Sequence, residues 1–120
     1  MSILETPMPN TVLIVDDDES IRMALRLMFD ASEFEVVGEA ADGVQAVLLA
    51  LKHQPSLVVL DYSMPRLGGE GAAQILRTIS PATRIVAFSG RLETKPDWAD
   101  AYLNKERVTE VVPVLEALLA

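Results

Sequence analysis

TVLIVDDDES, residues 11–20, runs five strand-forming residues straight into four acids. An apolar run without polar alternation is the mark of a strand covered on both faces, as in a parallel sheet. Asp16, Asp17, Asp18 and Glu19 end it. Like charges in series repel, so something positive is expected beside them. From Ser20 the apolar residues Ile21, Leu25, Met28 and Phe29 recur at helical spacing, with Arg22 and Arg26 left for the other face.

The same order of strand, polar end and helix recurs downstream. FEVVGEA (34–40) is a second strand candidate, and Asp42-Gly43 is a turn signal before the helical stretch VQAVLLALKHQ, which Pro55 stops. LVVL (57–60) is a third buried strand ending at Asp61, followed by a loop marked by Pro65, Gly68 and Gly69. The helix EGAAQILRTIS comes next and is closed by Pro81. RIVAFS (84–89) is a fourth strand, turned out at Gly90. RLETKPDWADA carries Pro96 in its middle and no helical stripe, so at most a turn or two of helix is expected there. AYLN (101–104) reads as a short fifth strand, and ERVTEVVPVLEALLA as a last helix kinked at Pro113. Strands alternating with helices imply right-handed crossovers. The expected fold is therefore α/β, a doubly wound five-stranded parallel sheet with helices on both faces.

At 120 residues, half of them hydrophobic, the chain has the length for one core: a flexible segment over residues 1–10 and one domain over 11–120. Eighteen Asp plus Glu against ten Lys plus Arg leave a net charge of -8. Such a domain is repelled by nucleic-acid phosphates and anionic membranes, so direct nucleic-acid binding is not expected. The absence of cysteine removes disulfides and thiolate metal sites. No apolar run approaches a membrane span and no signal-peptide pattern opens the chain, which points to a cytoplasmic protein.

In such a sheet, functional residues collect beyond the carboxyl ends of the strands. Strand 1 ends at Asp16 and Asp17, strand 3 at Asp61, strand 4 at Ser89, and Lys105 follows strand 5. Three carboxylates gathered there raise one another's pKa unless positive charge joins them, and Lys105 brings only one unit. A divalent cation balances the rest. With no cysteine, and with His53 at the far end of helix 2, zinc is poorly served, whereas Mg²⁺ takes carboxylates, a carbonyl and waters.

These residues together carry a resemblance. LIVDDDES, VVLDYSMPRLGG, VAFSG and AYLNK, in this order and spacing, resemble the receiver domain of two-component response regulators over nearly the whole chain from Thr11. FEVVGEAADG is especially similar to the receivers of the nitrate-responsive, LuxR-type branch. The resemblance implies the flavodoxin-like strand order 2-1-3-4-5, with Asp61 as phosphoacceptor. It implies Mg²⁺ bound by Asp16, Asp17, Asp61 and the backbone carbonyl of Ser63. It further implies that Ser89 follows the phosphoryl group, that Lys105 pairs with it, and that Tyr102 is the aromatic whose rotation reports activation. Pro65 and Gly69 match the loop after the acceptor. The implied partners are a histidine kinase or histidine phosphotransfer protein, an unidentified downstream protein or an output domain in a longer regulator, and a second copy in a phosphorylation-dependent dimer.

Three features depart from the family pattern. Sixteen positions separate Ser89 from Lys105, several fewer than usual, so the family's fourth helix, between strands 4 and 5, is expected to be shortened or missing. That puts Tyr102 switching and the usual dimer in question. Glu106 follows Lys105 where the family usually has proline, so the cis peptide often found there is not expected. Arg91, two places after Ser89, is a bulky base expected to affect dephosphorylation.

Plainer readings stand beside these. Asp18 and Glu19 read as a helix start, where acids favour the helix dipole. Asp61 and Ser89 can each be turn residues, Lys105 a solvated lysine and Tyr102 simple packing. His53 reads as a surface residue, and Trp98 as either a core plug or an exposed contact. Two other functions stay open: a receiver-fold interaction domain without phosphorylation-driven switching, and an aspartate-nucleophile phosphohydrolase of the haloacid dehalogenase type. The latter needs a second acid two residues after its nucleophile, a position held here by Ser63.

Overall fold

The computed structural model describes residues 10–119. Five strands, β1 (Thr11–Val15), β2 (Glu35–Ala40), β3 (Leu57–Leu60), β4 (Arg84–Phe88) and β5 (Ala101–Leu103), pair in parallel in the order β2-β1-β3-β4-β5. The helices are α1 (Glu19–Asp30), α2 (Gly43–His53), α3 (Gly69–Ile79) and α4 (Val111–Leu119). This is the expected doubly wound, flavodoxin-like order. The segment 1–10 expected to be flexible lies, apart from Asn10, outside the described residues.

The unbroken apolar runs are explained by two cores on opposite faces of one sheet. Leu13, Val15, Val58 and Leu60 pack on Ala46 and Ala50 of α2 and Ala72, Ala73 and Leu76 of α3. Val12, Ile14, Leu57 and Val59 pack on Leu25 and Phe29 of α1 and Val111 and Leu115 of α4. Alternate residues of β1 and β3 therefore both meet apolar cover, and none is more than 1% exposed. Each such large side chain contributes about 1.5–3 kcal/mol by burial, and Leu57→Ala would cost roughly 2–5 kcal/mol. A sheet covered this way exposes only its strand ends to ligands.

Local chemistry sets the helix boundaries. Asp18 caps α1, its carboxylate accepting from the Ser20 amide at 2.9 Å and the Ser20 hydroxyl at 2.6 Å, and Glu19 sits in the first turn. The two acids thus start the helix as expected. Asp42 caps α2 through the Gln45 amide at 2.9 Å. At the other end Gln54 takes a left-handed φ of 46° just before Pro55.

Between β4 and β5 the chain from Gly90 to Asp100 makes only turns and bends, so the family's fourth helix is missing. The last segment differs from the expected helix kinked at Pro113. Lys105–Glu110 forms tight 3₁₀ turns, the break lies at Arg107 (φ -104°, ψ 32°), and α4 starts only at Val111. Pro113 falls in the first turn of α4, where a missing N–H has no partner to lose. Among the described residues no helix is long and apolar enough to cross a membrane.

Candidate functional site

β1 and β3 lie side by side with Val15 opposite Leu60, so the residues just past their ends, Asp16 and Asp61, are neighbours. The backbone fixes both: the Asp61 amide donates to Val15 O at 2.9 Å, and the Asp16 amide to Ala40 O at 3.0 Å. Asp16 is fully buried and Asp61 is 4% exposed, while Asp17 faces solvent. One carboxylate oxygen from each of the three lies within 4.8 Å of the others. A cleft of about 430 Å³ opens over them, lined by Asp17, Asp61, Ser63, Ser89, Arg91 and Lys105 among others.

Lys105 is drawn into this cluster. Its Nζ lies 2.7 Å from Asp16 Oδ2 and 3.3 Å from Asp61 Oδ1. Burial alone would lower the Lys105 pKa, but the hydrogen-bonding and charge of Asp16 and Asp61 carry it above its ordinary value. Burial, and then the charge of Asp16, push the Asp61 carboxyl up to about 6 against the opposing pull of Lys105 and the Ser63 amide. One ammonium does not balance three carboxylates. Asp16 Oδ1 accepts from the Asp18 amide at 2.9 Å, and the buried Oδ2 has the Lys105 ammonium as its partner at 2.7 Å. An all-oxygen donor set with residual negative charge fits a hard divalent cation.

The loops carrying these acids are themselves held. Arg22 donates from Nη1 to Asp16 O at 2.7 Å, and its Nε lies 3.4 Å from Glu39 on β2. Arg26 joins the same Glu39 at 2.8 Å. The helical spacing assigns Arg22 only to the outer face of α1. What it misses is that Arg22 and Arg26 meet Glu39 of β2, and that Arg22 also reaches the Asp16 carbonyl. After Asp61, the Gly69 amide donates to Tyr62 O at 2.9 Å, and a Cβ on Gly69 would overlap the Asp61 carbonyl oxygen. Only glycine closes the loop so tightly.

Ser89, buried at the end of β4, accepts at Oγ from the Arg91 amide at 3.0 Å, and the Arg91 side chain is exposed at the cleft. Tyr102 lies away from the acids, half-buried against the α2/α3 core. Its hydroxyl is directed at two carbonyls, Ser89 O at 3.1 Å and Leu92 O. Trp98 is half-buried and stacks on Tyr62, with ring centroids 6.4 Å apart and planes 12° from parallel, so it both packs and faces solvent. His53 is exposed as the last residue of α2. Glu106 is exposed and starts the 3₁₀ turns by donating its amide to Asn104 Oδ1 at 2.9 Å.

Comparison with known proteins agrees with this arrangement. Residues 12–107 match the family model described as the response regulator receiver domain. The transcriptional regulatory protein PdtaR of Mycobacterium tuberculosis is 40% identical over 118 residues, which cover 93% of this chain and 58% of PdtaR. The chain thus spans little more than half the length of that relative. Among solved structures, the signal receiver domain of the putative response regulator NarL from Mycobacterium tuberculosis is 29% identical with a TM-score of 0.81, covering 95% of this chain and 99% of that one. The chain is also similar to a chain in the CheX-CheY-BeF₃-Mg²⁺ complex from Borrelia burgdorferi, at 25% identity and a TM-score of 0.77, covering 91% of this chain and 90% of that one. Fold, strand-end acids and family match converge: the chain belongs to the receiver-domain family of two-component response regulators.

Proposed function

We propose that the domain is a Mg²⁺-dependent phosphoacceptor, phosphorylated on Asp61 by a histidine kinase or histidine phosphotransfer protein. The observation that carries this is the pairing of Lys105 with both Asp16 and Asp61 at the floor of a cleft whose three clustered carboxylates a single ammonium does not neutralise. Asp16, Asp17, Asp61 and the Ser63 carbonyl would hold the ion. When bound, Mg²⁺ supplies positive charge to the transferring phosphoryl oxygens and lowers the repulsion among the acids.

The chain's own residues do the rest. An Asp61 carboxylate oxygen attacks phosphorus, the bond from phosphorus to the donor histidine nitrogen breaks, and that nitrogen leaves with its electron pair and takes up a proton. Lys105 meets the developing charge on the phosphoryl oxygens, and the β1 and β3 backbone bonds hold the nucleophile in line. Hydrolysis reverses the gain: water attacks phosphorus, the bond to Asp61 breaks, and the carboxylate returns. Since only the ionised carboxylate attacks, a carboxyl pushed up to about 6 makes the metal-free site a poorer nucleophile as pH falls toward that value. Phosphorylation replaces one negative charge by nearly two and adds strong acceptors, which draw on Lys105 and on the Ser89 hydroxyl at the end of β4. A change at Ser89 then reaches Tyr102, whose hydroxyl is bonded to the Ser89 carbonyl.

Beryllofluoride, which mimics a bound phosphoryl group, tests this. Uptake is expected to require Mg²⁺ and to vanish in Asp61→Asn; a variant that takes it up as well as the wild type refutes the assignment.

A further inference from the structure

Arg66, in the loop after Asp61, has a φ of 66°, a conformation that suits glycine and strains a residue with a Cβ. The Leu67 amide donates to Pro65 O at 2.8 Å across it, which makes Arg66 the centre of a γ-turn of the rare, strained hand. Gly68 and Gly69 come only after Leu67, so the position whose backbone suits glycine carries an arginine instead. Strain held at such a place calls for a use of the side chain.

That use is visible. Arg66 Nη2 donates to Oδ2 of Asp42, which is 2% exposed and caps α2 through its other oxygen. Beside this pair the Gly43 amide donates to Leu67 O at 3.1 Å, so closely that a Cβ on Gly43 would overlap that oxygen. The tip of the loop is thereby fastened to the start of α2, and its base is closed by Gly69 on Tyr62 O. On the acceptor side, Ser63, Met64 and Pro65 lie between the two fastenings.

We propose that Arg66 is a positioning residue: seated on Asp42 at the start of α2, it holds the acceptor loop in the shape that presents the Ser63 carbonyl to the cation beside Asp61. The role rests on the phosphoacceptor function above. A supporting group of this kind acts through geometry, and losing one lowers metal affinity by roughly 10–100-fold without touching the metal. A merely stabilising ion pair would move the melting temperature instead.

The test compares Arg66→Gly, Arg66→Lys and Asp42→Asn in the full chain, reading Mg²⁺ affinity by titration calorimetry and melting in chelator. Arg66→Gly relieves the strained φ while removing the guanidinium, so its metal-free melt is expected to stay near that of the wild type. Its Mg²⁺ affinity is expected to fall about tenfold, and the Ser63 and Met64 amide resonances of the metal-free protein to shift. Arg66→Lys is expected to recover part of the affinity, and Asp42→Asn to lose as much as Arg66→Gly. Wild-type affinity in Arg66→Gly overturns the role. Should Arg66→Gly melt markedly lower, Arg66→Lys decides, with unchanged affinity overturning the role and reduced affinity at an unchanged melt supporting it. A wild type without saturable Mg²⁺ binding overturns the phosphoacceptor function and the positioning role together; a binding wild type with an equally tight Arg66→Gly overturns the positioning role alone.

Discussion

At the ends of β1 and β3, the acids are held by ladder hydrogen bonds, by Arg22 on the Asp16 carbonyl and by a loop closed at base and tip. Between β4 and β5 the Gly90–Asp100 strap has no helix and is tied at separate points. The Tyr102 hydroxyl meets Leu92 O, Trp98 stacks on Tyr62, and Arg77 of α3 reaches Trp98 O at 3.0 Å and Asp100 at 3.1 Å. The Ile85 amide donates to Asp100 Oδ2 at 2.7 Å. Segments with few buried contacts and scattered ties open at lower free energy than a core strand. The strand-end side is therefore expected to be the more rigid of the two.

Disarming the fixed side is expected to have the largest effect. Lys105→Met is expected to weaken Mg²⁺-dependent beryllofluoride binding on the order of 10²-fold, the usual loss on removing a group aimed at developing charge. An unchanged affinity would mean that Lys105 serves only to screen the repulsion between Asp16 and Asp61.

A smaller effect concerns stability. The Asp61 pKa is raised in the folded protein, so its stabilising share is fully present below 3.8 and is lost as pH rises through about 6. At pH 7.5 without metal its charge is therefore a burden. Asp61→Asn should then be more stable than the wild type by on the order of 1–2 kcal/mol, after allowing for partial solvent access. Denaturant melts in chelator should show the advantage shrinking toward pH 4, and saturating Mg²⁺ should favour the wild type instead. An advantage that is constant with pH removes the electrostatic explanation.

The smallest effect lies in the strap. Arg77→Ala breaks a partly exposed pair and a hydrogen bond, together worth about 1 kcal/mol or less. Hydrogen exchange should quicken over residues 92–100 while β1 and β3 stay protected. Equal quickening everywhere would show that the two sides are one cooperative unit.

Most of the fixed side was legible because its signals are local. Apolar runs of β1, β3 and β4 are buried on both faces, and the acids follow them at once, so Asp16, Asp17, Asp61 and Ser89 could be assigned to strand ends from order alone. What stayed hidden is non-local or contrary to propensity. Nothing in the spacing pairs Asp42 with Arg66, because a left-handed arginine is the choice that turn preferences argue against. Trp98 could not be paired with Tyr62 across a strap that has no periodicity. Pro113 misled in the opposite way: proline in a helical run suggests a kink, yet in the first turn it is harmless, and the break falls at Arg107.

Asp61 is expected to receive a phosphoryl group with the help of a cation and Lys105. The most direct measurement is the intact mass of the chain after exposure to phosphoramidate and Mg²⁺, with borohydride reduction to mark the modified residue. One phosphoryl group per chain, on Asp61 and absent in chelator, is the predicted result. No adduct while calorimetry shows Mg²⁺ bound, or an adduct on another residue, would contradict it.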